Sequence, residues 1–592
     1  MKRLPALLIV ILVAACASQD VKRLPAAPAG VVRGVAVDAS GTPLPGVVVT
    51  LENRILITDA EGRFVFTGVR NGEYTVAAEL PGFNTVQYRV QVTPEHGAAM
   101  YALMQIESVS ESITVTGAAP TSLATYTAGN SAEYLPSAPA YSQFQEHQFH
   151  DSRKERTTTF AIDVDRASYA IVRRHLTAGM IPPPDAVRIE ELLNYFTWSY
   201  PQPQGSAPFS ITSEVAGCPW NENSRLVRIG IQGRNLEQWK MAPNNLVFLL
   251  DVSGSMDAVN RLPLLQSAFR VLVDQLRAED RVSIVVYAGA AGLVLPPTSG
   301  ADKATILAAI DNLRAGGSTA GGAGIELAYK VAADNFLRDG NNRVILATDG
   351  DFNVGVSGPA ALETLIEEKR RSGVFLSILG VGDDNLRDDS METLADKGNG
   401  NYAYLDSLKE AEKVFRHELT GTLVAIAKDV KVQVDFDPVL VESYRQIGYE
   451  NRALANEDFE DDAKDAGELG AGHSVTALYE IVPARGVTRG TIATVKLRYK
   501  EPKGETSLPL AAEVVDDGRS AYEASADMQF AAAIAEFGML LRNSKHKGSA
   551  NWDDVARLAR LTMGVDLDGT REEFTRMTET ARGMSDRRVA AK

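Results

Sequence analysis

Near-continuous runs of apolar residues mark the centre of the chain. They alternate with longer stretches of helical periodicity, and they are residues 246–250, 282–287, 344–347 and 374–379. Parallel strands that are buried on both faces and joined by crossover helices produce this pattern. It predicts a doubly wound α/β domain over residues 244–420.

Shorter runs that alternate apolar and polar residues precede this domain. They lie between residues 31 and 105, where turn signals such as Asn71-Gly72 separate them. Their spacing predicts a small antiparallel β-sandwich over residues 31–105. Residues 106–150 are rich in Ser, Thr, Ala and Pro and have little periodicity, which predicts a flexible linker.

Strand patterns also lie on both sides of the α/β domain. Residues 151–243 mix strand and helix patterns, residues 421–520 are rich in strands, and residues 521–592 form a helical tail. We expect the strands within 209–232 and those within 429–515 to join in one sandwich. The α/β domain would then be inserted in a loop of that sandwich, and well-separated sheets on its two flanks would contradict this hypothesis.

Composition and charge narrow the class of protein. The chain has 592 residues, of which 45% are hydrophobic and 23% are charged. These are ordinary values for folded domains, so disorder throughout, a collagen-like fibre and a multi-span membrane protein are excluded. The formal charge of −16 repels phosphate backbones and no basic patch is visible, which argues against a nucleic-acid partner.

The amino terminus carries the features of an export signal. Two basic residues precede an apolar run over residues 4–15, which is shorter than the about 20 residues that a membrane-spanning helix needs. The run ends in Val13-Ala14-Ala15 and Cys16 follows at once, a sequence that resembles the lipobox of bacterial lipoproteins, in which the cysteine is lipidated. We predict a lipoprotein signal peptide over residues 1–15 and a tether over 16–30. Ala17, the residue after Cys16, resembles the pattern of lipoproteins that are sent to the outer membrane. We therefore expect the protein in the cell envelope, on a lipid anchor.

A second cysteine and two histidines have simpler explanations. With Cys16 lipidated, Cys218 has no partner for an intramolecular disulfide, and we expect a buried free thiol. His147 and His150 are spaced like an i, i+3 pair of metal ligands. Because no third ligand is near them in sequence, solvated linker histidines are favoured.

Three predicted loops of the α/β domain carry oxygen side chains. Asp251, Ser253 and Ser255 follow the first strand, Thr319 lies in a glycine-rich loop, and Asp349 follows another apolar strand. Loops at the carboxyl ends of such strands form the ligand site of an open α/β sheet. Carboxylates and hydroxyls are hard ligands that suit Mg²⁺ or Mn²⁺. The alternative is that these residues are separate helix-cap, loop and turn residues.

These five positions resemble the complete metal-ion-dependent adhesion site of a von Willebrand factor type A domain, which has a Rossmann-like fold. The resemblance implies that the hydroxyls coordinate the metal directly and that the carboxylates bind it directly or through water. It also implies one open coordination position, which a carboxylate of a partner protein can fill. Two aspartates brought close without a cation would repel each other, so a metal ion would stabilise the site.

A second acidic pair lies in the preceding flank. Asp163 and Asp165 are two residues apart and would face the same side of a strand, with Ser168 following. The favoured interpretation is the end of a strand followed by a capped helix. The alternative is a contact with the metal-bearing face or with a second cation.

Local signatures of enzymes are absent from the sequence. It contains no Gly-x-Ser-x-Gly elbow, no Walker loop and no His-Glu-x-x-His motif. Only seven histidines occur, which offers little for acid–base chemistry. We therefore expect a protein that is not an enzyme. A hydrolase acting on envelope polymers would need a catalytic base that the sequence does not reveal.

Longer stretches resemble two families. Residues 160–203, 394–415 and 441–483 resemble uncharacterised bacterial lipoproteins with a central type A domain, a family-specific flank on each side and a helical tail. The first of these stretches begins FAIDVDRASY. Residues 58–83, TDAEGRFVFTGVRNGEYTVAAELPGF, resemble the carboxypeptidase regulatory-like domain, a transthyretin-type sandwich that carries no catalysis.

Two functions remain in competition. The first is a membrane-anchored lipoprotein whose metal site binds an acidic side chain of a partner protein and so mediates cation-dependent binding or adhesion. The second is an envelope assembly or quality-control factor in which the metal is structural. Loss of partner capture in EDTA, with the fold retained, would favour the first.

Overall fold

A computed structural model describes most of the chain from residue 27 to residue 590. The described residues are 27–37, 43–44, 47–51, 54–59, 61–79, 86–94, 96–104, 139–236, 241–288, 291–316, 321–350, 359–383, 386–418, 424–462, 464 and 466–590. They belong to two compact units, Met1–Ser131 and Ala132–Lys592. The predicted signal peptide and Cys16 lie outside the described residues.

The first unit contains a small β-sandwich. Its strands are β1 (Val31–Val37), β2 (Val48–Leu51), β3 (Arg54–Ile57), β4 (Arg63–Thr67), β5 (Gly72–Glu79), β6 (Val86–Val92) and β7 (Ala98–Leu103). They form sheets in the orders β4-β1-β7 and β3-β2-β5-β6. Val32 and Phe66 from the first sheet share one core with Val49 and Val76 from the second. The predicted sandwich is confirmed, except that β1 and β7 pair in parallel.

The second unit begins with short strands and two helices. These are β8 (His150–Asp151), β9 (Thr157–Ala161), α1 (Ala167–Thr177), α2 (Ile189–Asn194), β10 (Phe209–Gly217) and β11 (Arg225–Gly233). Residues 139–150, which we predicted to be linker, are part of this fold. Ala140 bridges to Arg387, and His150 pairs with Tyr444 in a sheet. Residues 105–138 lie outside the described residues.

The α/β domain follows. Its strands are β12 (Asn244–Asp251), β13 (Arg281–Tyr287), β14 (Ala291–Ser299), β15 (Asn341–Thr348), β16 (Val374–Gly380) and β17 (Tyr402–Tyr404). Its helices are α3 (Leu262–Gln275), α4 (Lys303–Asp311), α5 (Gly321–Asp334), α6 (Pro359–Arg370), α7 (Asp388–Lys397) and α8 (Leu408–Lys413).

This domain has the predicted doubly wound sheet, with strand order β14-β13-β12-β15-β16-β17. All pairs are parallel except β13 with β14 at the edge. Residues of β12 alternate between the two faces: Leu246, Phe248 and Leu250 enter one core, whereas Val247 and Leu249 enter the other. Burial on both faces explains why the strand reads as an unbroken apolar run. The order reverses between β12 and β15, which is where such folds bind ligands.

Strands after the α/β domain return to the sheet system that began before it. They are β18 (Ala425–Phe436), β19 (Val441–Ile447), β20 (Ala453–Leu454), β21 (Gly467–Gly470), β22 (Ser474–Pro483), β23 (Gly490–Lys500) and β24 (Ser507–Asp516). One sheet has the order β10-β11-β22-β19-β8 and the other the order β20-β9-β18-β23-β24, and they share one core. The α/β domain is therefore inserted in one sandwich, as predicted.

Three helices end the chain: α9 (Ala526–Arg542), α10 (Trp552–Leu561) and α11 (Thr570–Ala590). They share a core with α1 and α2, in which the rings of Phe196, Phe530 and Phe574 meet edge to face. Cys218 lies in the same core as a free thiol, as expected, and burial raises its pKa. Among the residues that the structure describes, none of the helices combines the length and the apolarity needed to cross a membrane.

Candidate metal centre

The turn after β12 places a carboxylate beside two hydroxyls. The backbone N–H of Ser253 donates a hydrogen bond to Oδ1 of Asp251 over 2.9 Å, which closes the turn. The Oγ atoms of Ser253 and Ser255 are 3.1 Å apart. Asp251 and Ser253 are buried, whereas Ser255 is exposed. Of these oxygen-bearing side chains, that of Ser255 is therefore the most accessible to solvent.

Two neighbouring strands end at the same carboxylate. The hydroxyl of Tyr287, at the end of β13, donates to Oδ2 of Asp251 over 3.2 Å. The hydroxyl of Thr348, at the end of β15, donates to the same oxygen over 3.3 Å. Asp349 follows Thr348 and is buried. The parallel register of β12 between β13 and β15 brings these strand ends together, because Asp251 pairs with Tyr287 and Leu250 with Ala347.

An arginine connects the two acidic turns. Arg261 precedes α3, and its Nη1 donates to the carbonyl oxygen of Ser255 over 2.6 Å. The same Nη1 lies 3.0 Å from Oδ2 of Asp349. A single guanidinium therefore contacts both turns, so the structure brings Asp251, Ser253, Ser255 and Asp349 together at one edge of the sheet.

The fifth predicted ligand, Thr319, lies outside the described residues. Gly316, before that gap, contacts the Asp251 turn, and Gly324, after it, contacts Tyr287. The N–H of Gly316 donates to the carbonyl oxygen of Val252 over 2.8 Å. Gly324, in α5, is packed so closely against Tyr287 that a Cβ at this glycine would lie 2.9 Å from the Cβ of the tyrosine.

The electrostatics of these residues fit a hard cation. Burial raises the pKa of Asp251 to about 6, although hydrogen bonds from Ser253 lower it, and the negative charge of Asp349 adds to the rise. A cation would relieve the cost of keeping two carboxylates ionised in a buried site. Carboxylate and hydroxyl oxygens match the preference of Mg²⁺ and Mn²⁺. No described cluster of three or more His, Cys, Asp or Glu is placed to hold a metal, so hydroxyls are needed to complete this donor set.

Arg261, Tyr287 and Thr348 also belong to the site, and the sequence patterns did not predict them. Thr348 directly precedes Asp349, and Tyr287 ends an apolar strand. Placing both strands parallel to β12 would have predicted that these two hydroxyls lie near Asp251. Arg261 lies ten residues after Asp251 and has no motif of its own. Its contact with Asp349 depends on how the two turns meet in space.

The second acidic pair lies elsewhere and has a protein partner. Asp165 accepts hydrogen bonds from the backbone N–H of Tyr402 and from Nη2 of Arg452, both over 2.8 Å. Nη1 of Arg452 lies 3.9 Å from Oδ2 of Asp163. Burial raises the pKa of Asp163 to about 7. The pair thus connects the flank to the α/β domain by contacts away from the metal-bearing turns.

The expected capped helix after this pair is wrong in its detail. The N-cap of α1 is Arg166, which makes no capping hydrogen bond through its side chain. The N–H of Ser168 is satisfied instead by Oε2 of Glu191 from α2, over 2.8 Å. The two histidines lie in the fold rather than in a linker. The side chain of His150 is 40% exposed and hydrogen-bonds to Glu155 over 2.8 Å, as expected of a solvated histidine, whereas burial lowers the pKa of His147.

Four protein-family models together match most of the chain. The family described as "Carboxypeptidase regulatory-like domain" matches residues 31–104, and the one described as "von Willebrand factor type A domain" matches residues 245–417. Residues 136–228 match "von Willebrand factor", and residues 421–584 match "Uncharacterized protein YfbK, C-terminal".

Similar proteins include two bacterial relatives. The uncharacterized protein YfbK of Escherichia coli (strain K12) is 42% identical over 476 residues, an alignment that covers 76% of this chain and 82% of the relative. The uncharacterized protein sll0103 of Synechocystis sp. is 26% identical over 337 residues, covering 54% of this chain and 76% of the relative. A solved structure, "von Willebrand factor type A from Catenulispora acidiphila", aligns with 16% identity and a TM-score of 0.38 over 61% of this chain and 88% of that one.

Proposed function

The chain belongs to the family of the uncharacterized protein YfbK, and from its type A domain we propose that it is a binding protein that captures a partner through a divalent cation. A von Willebrand factor type A domain indicates protein–protein interaction or adhesion. The metal-dependent part of this proposal rests on one observation. Contacts between the turns bring together, at one edge of the sheet, the side chains of Asp251, Ser253, Ser255 and Asp349.

The proposed ion is Mg²⁺ or Mn²⁺, held by these four residues and by Thr319. When bound, the ion supplies a Lewis-acidic position that an outside carboxylate oxygen can occupy. The protein fixes Asp251 in place, because the N–H of Ser253 and the hydroxyls of Tyr287 and Thr348 all donate to its carboxylate. A carboxylate held in this way pays little entropy on binding the ion.

The proposed ligand is an acidic side chain of a partner protein. Mg²⁺ prefers oxygen ligands and retains exchangeable positions, so a carboxylate is the side chain best suited to complete the site. We also propose that the chain is held in the cell envelope, at the outer membrane, by a lipid on Cys16. The lipobox-like sequence supports this anchor. The lack of enzyme motifs in the sequence supports binding rather than catalysis.

A structural role for the metal, in an envelope assembly or quality-control factor, is the second candidate. Its support is the complete burial of Asp251 and Asp349. A buried ion that joins two turns can stabilise a fold without meeting any partner. On this alternative, chelation lowers the melting temperature but does not release partners.

Calorimetric titration and crosslinking together test the proposal. Mg²⁺ is titrated into the full chain and into the Asp251→Ala and Asp349→Ala variants, and we expect uptake by the wild type only. Crosslinked partners are then recovered from the cell envelope with Mg²⁺ or with EDTA. We expect capture to require both Mg²⁺ and the two aspartates.

Asp257→Ala is the matched control, because Asp257 is an exposed carboxylate in the turn that follows Ser255. It should leave metal uptake and capture unchanged. Partner capture by the wild type that is equal in Mg²⁺ and in EDTA would contradict the proposal.

A further inference from the structure

The guanidinium of Arg261 occupies an enclosed position between the proposed ligands. Its side chain is 7% exposed. Nη1 lies 2.6 Å from the carbonyl oxygen of Ser255 and 3.0 Å from Oδ2 of Asp349. It therefore places a fixed positive charge beside a buried carboxylate of the metal centre.

A glycine leaves the space that this side chain fills. Gly382, after β16, has φ +77° and lies so close that a Cβ would be 2.5 Å from Nε of Arg261. The loop is held there by hydrogen bonds from the N–H of Gly382 to the carbonyl of Asn260 over 3.3 Å and from the N–H of Val381 to the carbonyl of Thr348 over 3.0 Å. The ends of β12, β15 and β16 thus together enclose the guanidinium.

The charge at this position matters because the site contains two buried carboxylates. Asp251 and Asp349 are both fully buried, and the negative charge of Asp349 raises the electrostatic cost of ionising Asp251. A buried charge needs a partner of opposite sign. Arg261 supplies one positive charge where a divalent ion would supply two.

Building on the proposed metal binding, we propose that Arg261 substitutes for the ion in the metal-free protein and thereby sets the affinity of the site. With the guanidinium paired to Asp349, the two turns stay together without a metal. The same charge repels an incoming divalent ion, because like charges a few ångströms apart in a poorly solvated site interact strongly. Arg261 is thus a positioning residue that weakens metal binding in exchange for a preformed site.

Calorimetric titration of MgCl₂ into the full chain tests this role. We expect Arg261→Gln to bind Mg²⁺ about tenfold more tightly than the wild type, because the competing charge is gone. We also expect Arg261→Gln to melt at a lower temperature than the wild type in EDTA. Added Mg²⁺ should then raise the melting temperature of the variant more than that of the wild type. Arg261→Lys keeps the charge, and its affinity should stay within about threefold of the wild type.

Arg270→Gln is the matched control. Arg270 lies on α3, is 51% exposed and pairs with Asp311, so its removal makes the same change in net charge away from the metal centre. Its Mg²⁺ affinity should equal that of the wild type. An equal gain in Arg270→Gln would reduce the effect to net charge and would overturn the role of Arg261.

The remaining outcomes separate this inference from the proposed function. Uptake by the wild type with unchanged or weaker affinity in Arg261→Gln overturns the inference and leaves the function standing. No uptake of Mg²⁺ or Mn²⁺ by the wild type or any variant overturns both. If Arg261→Gln folds only in Mg²⁺, the ion has replaced the guanidinium, which supports the inference. If the variant folds neither in Mg²⁺ nor in EDTA, a metal ion does not replace the charge of Arg261, and the inference fails.

Discussion

The hydroxyl of Tyr287 donates a hydrogen bond to Oδ2 of Asp251 from the neighbouring strand, over 3.2 Å. Both side chains are fully buried. The contact fixes the carboxylate from the side opposite to Thr348, since β13 and β15 lie on the two sides of β12. The position of the first proposed metal ligand is thus determined by residues on both adjacent strands.

Tyr287→Phe should weaken Mg²⁺ binding and reduce stability. Removing the hydroxyl deletes one donor to Asp251, and we expect the free energy of unfolding to fall by about 1 kcal/mol. The Mg²⁺ dissociation constant should rise several-fold, because Asp251 loses one of its fixed contacts. Calorimetric titration and urea unfolding in EDTA measure the two effects.

Tyr329→Phe provides the comparison for this variant. Tyr329 is a buried tyrosine of the same domain, and its hydroxyl has no hydrogen-bond partner among the residues that the structure describes. The substitution should change neither Mg²⁺ binding nor, beyond a few tenths of a kcal/mol, stability. Equal effects of the two variants would show that the hydrogen bond to Asp251 contributes neither to Mg²⁺ binding nor to stability.

Arg452→Met should destabilise the junction between the flank and the α/β domain. The Arg452 side chain is 8% exposed, and its guanidinium contacts Asp165 over 2.8 Å, Glu392 over 3.3 Å and Asp396. Its removal leaves buried carboxylates without a counter-charge, a change that costs about 3–5 kcal/mol in proteins. Urea unfolding near neutral pH measures the loss.

Arg498→Met is the control for that variant. Arg498 pairs with Glu460 and Asp462 at the surface, where the Glu460 side chain is 76% exposed. Exposed pairs of this kind contribute about 0–1 kcal/mol. A loss in Arg452→Met no larger than in Arg498→Met would refute the counter-charge role.

Glu536→Gln should become stabilising as the pH rises. Glu536 lies in α9 with 1% exposure, and its Oε2 has no hydrogen-bond partner among the described residues. Burial raises its pKa to about 8 from an ordinary value of 4.5. Because the folded chain holds the proton that the unfolded chain releases, the wild type loses about 1.4 kcal/mol of stability per pH unit between these values. The glutamine variant has no such loss.

Unfolding measured at pH 5, 6.5 and 8 tests this dependence. The stability of Glu536→Gln relative to the wild type should increase across the series. Glu572→Gln, at an exposed position of α11, should follow the wild type at each pH. A difference between Glu536→Gln and the wild type that stays constant over this range would rule out a proton held by Glu536.

Counting reactive thiols tests both cysteines. The chain has two cysteines, and burial together with a raised pKa should make Cys218 unreactive to iodoacetamide in the folded protein. In denaturant, protein isolated from the envelope should show one thiol if Cys16 carries lipid. The unprocessed chain should show two. Two thiols in the envelope protein would contradict lipidation.

The sequence predicted the parts of the fold that depend on local periodicity. Strands β12, β13, β15 and β16 are apolar throughout because both faces of the sheet are covered, so their run lengths alone identify them. The insertion in one sandwich was also predictable, since strand patterns lie on both sides of the α/β domain, and the pairing of β11 with β22 confirms it. Asp251, Ser253 and Ser255 form a local motif and needed no tertiary information.

Features that depend on contacts distant in sequence were missed. Residues 139–150 lack periodicity because they follow the surfaces of other elements: Glu146 accepts a hydrogen bond from Ser544, and the ring of Phe149 lies under Arg445. Arg452 lies 287 residues from Asp165 and gives no local signal. Arg261 likewise acquires its partner only when two separate turns meet.

The insertion of the α/β domain determines how the molecule responds to a break in its backbone. The chain leaves the sandwich after β11 and returns to it at β18, and β11 pairs with β22 from the far side of the insertion. A single proteolytic cut in either connection between the sandwich and the α/β domain would thus leave the two fragments joined by the eight residue pairs between these two strands. Under the proposed function, a force on a bound partner would reach the sandwich through two polypeptide connections, because the α/β domain is joined to the sandwich at both of its ends.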